Sequence, residues 1–215
     1  MLRKVLFLSL MSCCMTFCNC SDQYNGHEYV DLGLSVKWAT CNVGANSPEE
    51  YGGYYAWGET EEKDYYDWST YKWCEGKFNT QTKYCTNEKY GTFDNKETLS
   101  ATDDVVCVKW GGSWRMPTQA EQDELCERCK WTWTTQNGVN GYKVVGPNGN
   151  SIFLPAAGVR DEAGLYTAGS DGYYWSSTLY ESEQSHAYYI NFDSRDLLRL
   201  VYGRSHGISV RPVCP

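Results

Sequence analysis

The pattern of apolar and polar positions changes several times along the chain. In "EYVDLGLSVKWATCNVG" (28–44), Val30, Leu32 and Leu34 alternate with polar residues, and Val36, Trp38 and Thr40 continue after a break near Gly33. Period two predicts a pair of strands. "YGGYYAWGE" (51–59) is rich in glycine and aromatics, as suits backbone passing close to large rings. From 60 to 104 the periodicity is lost. A loop of that length is unusual in a compact domain unless it is functional or held by its own contacts, and its Trp and Tyr residues favour the second.

"SWRMPTQAEQDELCERC" (113–129) carries the clearest helix signal, over about 118–129. Thr118 is the candidate N-cap, and Glu121 three residues on completes a capping box. Glu121, Asp123 and Glu124 lie near the positive helix end. Ala120, Leu125, Cys126 and Cys129 are expected on the inner face. "YKVVGPNGNSIFLPAAG" then reads as a hairpin, with Tyr142, Val144 and Val145 before the Pro147-Asn148-Gly149 turn and Ile152, Phe153 and Leu154 after it. Further strands are expected in "AGSDGYYWSSTLY" (168–180), "HAYYINF" (186–192), "LLRLVY" (197–202) and "GISVRPV" (207–213). One strong helix, eight or more short strands and long loops predict an α+β fold with mostly antiparallel pairing. The 20 Gly, 18 Tyr and 9 Trp agree with short strands and tight turns.

The first residues change the picture of where the chain works. "MLRKVLFLSLMSCC" has Arg3 and Lys4 before an apolar core too short to span a bilayer, which reads as an export signal. Leu10-Met11-Ser12-Cys13 resembles a bacterial lipobox, making Cys13 the expected lipidation site. The expected organisation is a signal and anchor region over 1–20, a polar tether over 21–27 and one domain over 28–215. An outer-membrane or surface lipoprotein is expected; a plain signal peptide would leave the protein periplasmic or secreted. Cleavage before Cys13 removes Arg3 and Lys4 and takes the net charge from −8 to −10. So acidic a domain repels phosphate backbones and anionic lipids. Nucleic acid is not an expected partner, and the membrane is expected only through the lipid anchor.

Beyond the leader stand Cys41, Cys74, Cys85, Cys107, Cys126, Cys129 and Cys214. Export permits disulfides, and an odd number leaves one thiol unpaired. Cys74 and Cys85 bracket an irregular loop and are the first expected bridge. Cys126 and Cys129 share a helix face, but at its C-terminal end, where the dipole disfavours a thiolate. They read as structural thiols or a disulfide. With no EF-hand spacing and no second zinc-type pair, no metal or cofactor is expected.

Six ordered motifs, "YVDLGLSVKWATCNVGA", "GGYYAWGE", "GGSWRMPT", "TWTTQNGVNGYKVVGPNGNSIFLPAAG", "YYWSST" and "GISVRPV", resemble the Fibrobacter succinogenes major paralogous domain family. That family is similar in fold to C-type lectin-like domains. In its terminal pattern it is similar to the formylglycine-generating-enzyme group, whose catalytic cysteine pair cannot be placed here. The resemblance implies that the terminal strands pair, with "VDLGLSVKWA" beside "GISVRPV" and Cys41 and Cys214 as candidates for a link between them. It also implies a fixed framework of Trp175, Ile190, Phe192, Gly207, Val210 and Pro212. Some relatives are similar to the variable proteins of diversity-generating retroelements, which display varied side chains on the C-terminal surface.

That surface holds the chemically mixed stretch "NFDSRDLLRLVYGRSHG" (191–207). The expected ligand-binding residues are Tyr180, Glu183, His186, Tyr188, Asn191, Asp193, Arg195, Asp196, Arg199, Tyr202, Arg204 and His206. Tyr and Arg give large contact area and bidentate hydrogen bonds, and the small polar residues adapt, as in antibody-like paratopes. The expected function is binding of a protein or glycan, with no catalytic residue assigned. The alternatives are a carbohydrate-active or oxidative enzyme and a structural subunit of a surface assembly.

Overall fold

A computed structural model describes residues 22–215. Cys13 and the rest of the expected leader lie outside them. The chain opens with β1 (Asp22–Tyr24), β2 (His27–Val30) and β3 (Lys37–Ala39), and closes with β12 (Val213–Cys214). These four form one antiparallel sheet in the order β1-β2-β3-β12. Val213 lies opposite Trp38, and the pairing continues as Ala39 N donates to Pro212 O and Val43 N to Val210 O. The termini therefore close the domain as the resemblance implied. The tether, by contrast, is not free from Asp22 on. Asn25 Nδ2 donates to Trp110 O, Trp114 Nε1 donates to Tyr24 O, and the His27 ring stacks on Trp110 at 3.7 Å.

Two helices follow the long loop, α1 (Val105–Trp110) and α2 (Gln119–Arg128). The capping box of α2 forms as expected. Arg115 holds Glu121 with two hydrogen bonds of 2.7 and 2.5 Å, which keeps that carboxyl below the usual carboxylate range despite its partial burial. The inner face differs from expectation at one position. Ala120 is exposed, and Gln122 turns inward beside Leu125, donating to Tyr174 O and Trp175 O at 3.0 Å each. α1 was not foreseen, because its Val-Val-Cys-Val run favours a strand by propensity. Asp104 overrides that preference. One of its oxygens caps Val106 N and Cys107 N, and the other accepts Met116 N.

After α2, β4 (Lys130–Gln136), β5 (Val139–Val145) and β6 (Ser151–Pro155) form a three-stranded antiparallel sheet. β7 (Val159–Asp161) and β8 (Gly164–Tyr166) make a small hairpin. The last sheet is β9 (Gly172–Leu179), β10 (His186–Phe192) and β11 (Leu197–Gly203), in the order β11-β10-β9. The described fold is thus mostly antiparallel strands in small sheets with two α-helices, consistent with an α+β or a mostly-β class. The expected strand over 207–213 is mostly not regular. It threads between elements through single bridges, Gly207 to Arg160, Ile208 to Tyr55, Ser209 to Tyr174 and Val213 to Arg115.

Two large apolar clusters fill the interior. One holds Trp57, Trp114, Trp175, Tyr189 and Val210; the other holds Trp38, Leu125, Ile152, Ile190 and Phe192. Gly172 lets β9 approach the second cluster, since a Cβ there would sit 2.1 Å from the Phe192 ring. The 60–104 loop is held by its own aromatics, as expected. Tyr66 donates to Tyr54 O, Tyr71 to Trp57 O and Tyr84 to Asp103 Oδ2, and all three tyrosines are buried.

Neither expected bridge is present: all seven described cysteines carry free thiols. Cys74 Sγ donates to Trp68 O and Cys85 Sγ to Asn87 O, each sulfur satisfied by its own turn. Cys41 and Cys214 are likewise unlinked. Burial pushes the Cys126 and Cys129 thiols up to about 12 and about 11. That disfavours the thiolate that redox or metal chemistry needs, and among the described residues no group of three or more His, Cys, Asp or Glu is placed to hold a metal.

Candidate ligand-binding face

The two-residue turn between β10 and β11 sets the site. Asp193 N donates to Asp196 O, while Asp193 Oδ1 accepts the N–H groups of Arg195 and Asp196 at 2.7 and 2.9 Å. These bonds hold the Asp193 carboxyl below the usual range. The register that follows pairs Phe192 with Leu197, Ile190 with Arg199, Tyr188 with Val201, and Asn191 with Leu198, Tyr189 with Leu200, Ala187 with Tyr202. Because side chains alternate across a strand, the first three pairs share one face and the last three the other.

The first face turns toward α2. Phe192, Ile190 and Leu197 join the core there. Arg199 reaches Glu127 Oε1 at 2.6 Å and Asp123 Oδ1 at 3.4 Å, so its guanidinium is already engaged by helix acids. Tyr188 is half-buried, edge to face with Tyr180 at 5.4 Å.

The second face is aromatic; Ala187 and Tyr189 are buried in the first cluster, Tyr173 and Tyr202 pack half-buried against it, and only the β11 edge is open. Tyr173 and Tyr189 stack at 5.8 Å, Tyr189 and Tyr202 lie 5.4 Å apart, and Tyr202 covers His206 at 4.3 Å. Beside them Leu198 and Leu200 are 45% and 40% exposed. The polar groups on this side are Asn191, which donates to Gly172 O, and Asp161 of β7, 3.5 Å from His206 Nε2. Partial burial raises the Tyr173 and Tyr202 phenols, which therefore stay neutral donors at physiological pH.

The twelve expected residues are thus not brought together. Tyr180, Tyr188 and Arg199 lie toward α2; Asn191, Tyr202 and His206 belong to the open face; Asp193, Arg195 and Asp196 form the hairpin tip; and Glu183 and His186 sit in the preceding turn. Arg204 is a correction, because it is fully buried. Its guanidinium donates to Tyr71 Oη, Tyr84 O, Gln184 O and Lys83 O and lies over the Trp57 ring. It has no access to a ligand. Tyr173, Leu198, Leu200 and Asp161 lie on the side of the second face without being among the expected residues, although period-two reading of "LLRLVY" against "HAYYINF" picks out both leucines.

The turn before β10 contains Glu183, Ser185 and His186. Ser185 Oγ is 2.9 Å and Glu183 Oε1 3.5 Å from the same ring nitrogen, Nδ1 of His186. A relay needs the nucleophile and the orienting acid on opposite nitrogens, so this trio does not have triad geometry. Burial, aided by His206's nearby charge and opposed by Glu183, lowers the His186 pKa. With the neutral ring favoured in the fold, the unfolded chain takes up the proton first. Stability is expected to be full above about pH 6.5 and to fall below it, and His186→Gln should remove part of that fall. Urea titrations across this pH range check it; parallel curves for the two proteins would contradict it.

A groove of about 550 Å³ lies elsewhere, between β2 and β6, lined among others by Glu28, Asp31, Lys143 and Asn150. None of the expected residues lines it.

A family described as a domain of unknown function (DUF8237) has a model that matches residues 129–213, which run from the end of α2 to β12 and contain the whole face. No curated protein and no solved structure matches the chain.

Proposed function

We propose that the chain is an exported, lipid-anchored domain of C-type lectin-like fold that binds a protein or glycan ligand through the open face of β9, β10 and β11. The fold reading rests on the motif resemblance, supported by the paired termini and the capped α2. The binding reading rests on one observation: Leu198 and Leu200 are widely exposed on β11, beside the half-buried Tyr173 and Tyr202, at the edge of a sheet whose inner strands are packed into the core on both sides. An apolar aromatic face rimmed by polar groups is costly to leave in water and marks interaction sites. Its Tyr-rich centre with Asn191 and Asp161 at the rim suits a hot spot, large contact area with few polar anchors. The resemblance to variable binding proteins points the same way.

Screening the purified protein against glycan arrays and surface-protein arrays tests the proposal. A ligand is expected whose signal is lost with Tyr173→Ala combined with Tyr202→Ala. Silence on both arrays, together with turnover of a polysaccharide panel, would overturn it in favour of an enzyme.

A further inference from the structure

The edge of β11 offers a second surface, one that does not depend on the ligand proposal. In the β10–β11 ladder the Asp193–Asp196 bond fixes which residues exchange hydrogen bonds, namely Asn191 with Leu198, Tyr189 with Leu200 and Ala187 with Tyr202. Leu197, Arg199 and Val201 therefore turn their N–H and C=O groups away from β10. Among the described residues none pairs with them. Such a row is a template for another strand, and proteins blunt it with Pro, charges, bulges or short length. Here β11 is seven residues long, contains no Pro and carries one charge. The bulge of this sheet lies on the far side, between β10 and β9.

We propose that two copies of this chain associate through β11, edge to edge and antiparallel, about a two-fold axis beside Leu200. The sequence of the strand singles out this occupant and this register. With Leu200 opposite its own copy, Leu198 meets the partner's Tyr202 and Arg199 meets the partner's Val201, and the pairing ends before Gly203, which is buried with its carbonyl held by His206. Every facing pair is then apolar or singly charged. A shift to centre on Arg199 would set two guanidiniums opposite each other, which is unfavourable. The chosen register satisfies four outward main-chain hydrogen bonds through the Arg199–Val201 pairs and joins the two three-stranded sheets into one of six. It also reduces the exposure of both leucines and sets the two aromatic faces side by side, so that one dimer presents two ligand surfaces.

The register makes the test specific. Leu200 opposite its copy is a non-hydrogen-bonded pair, with Cα atoms about 4.5 Å apart, inside the range a disulfide accepts. Full-length Leu200→Cys is expected to form a covalent dimer under mild oxidant, while Leu198→Cys, which faces the partner's Tyr202, is expected to form at least tenfold less. Val201→Pro removes an outward N–H and no bond within the chain. It is expected to weaken dimerisation at least tenfold in sedimentation equilibrium with the circular dichroism spectrum unchanged. Wild-type protein that stays monomeric at every concentration would overturn the proposal. So would equal crosslinking at both positions, or a dimer indifferent to Val201→Pro, and each result stands whether or not a ligand has been found.

Discussion

Replacing Arg204 with Ala is expected to destabilise the protein by about 3–5 kcal/mol, because the buried acceptors of a charged donor lose it and a cavity opens under three aromatic rings. Arg204 is fully buried and has no carboxylate partner among the described residues. Its guanidinium instead ties the loop carbonyls of Lys83 and Tyr84 and the Tyr71 hydroxyl to Gln184 O in the turn before β10. Trp57 lies 4.8 Å from its central carbon and Tyr71 5.3 Å. This one side chain joins the long 60–104 loop to the sheet that carries the face. Arg204→Lys is expected to recover little, since a single ammonium cannot serve acceptors arranged around a planar fork. Urea unfolding measures the loss, and limited proteolysis should show the loop opening first. A change below about 1 kcal/mol would remove Arg204 from the account of how the loop is held.

Arg211→Met is the second large effect, expected at about 3–4 kcal/mol from acceptors left dry in the core. Arg211 donates through Nε to Asn42 Oδ1, through Nη1 to Ala39 O and Thr40 O, and through Nη2 to Phe153 O. It thus joins the opening strands, the closing strand and β6. Burial lowers its pKa, the cost of holding a cation among uncharged acceptors, and the Tyr174 phenol beside it offsets part of that. Methionine fills much of the volume and supplies no donor, so the loss reads the hydrogen bonds more than the packing. Hydrogen exchange should show β3 and β12 opening before the sheet of β9, β10 and β11. A variant as stable as wild type would mean that the strand pairing closes the termini without the arginine.

The two arginines also mark what could be read from residues alone. The hairpin of β5 and β6, the capped α2, and the strands over 186–192 and 197–202 were legible, because each is set by local period or by a side chain within three positions. α1 was not, since its capping acid, Asp104, also needs Met116 N to be satisfied, a contact across the chain. Arg204 looked like a surface residue because its neighbours in sequence are polar. Its burial depends on acceptors 20 to 133 positions away. The same holds for the cysteines. Spacing suggested bridges, whereas each of Cys74 and Cys85 is satisfied by a nearby carbonyl.

For the face itself, composition grouped residues that the pleat separates. Asn191, Tyr202 and His206 were expected beside Tyr188 and Arg199, but one residue of offset in a strand reverses direction. The pleat sends Arg199 to the acids of α2 and Tyr202 to the open aromatic side. The two sets consequently separate in experiment. With the ligand found by array, affinity should be measured by calorimetry for Tyr202→Ala and for Arg199→Ala. The expected result is a loss of at least tenfold for Tyr202→Ala and little change for Arg199→Ala; full affinity in Tyr202→Ala with loss in Arg199→Ala would place the ligand on the helix side and contradict the account.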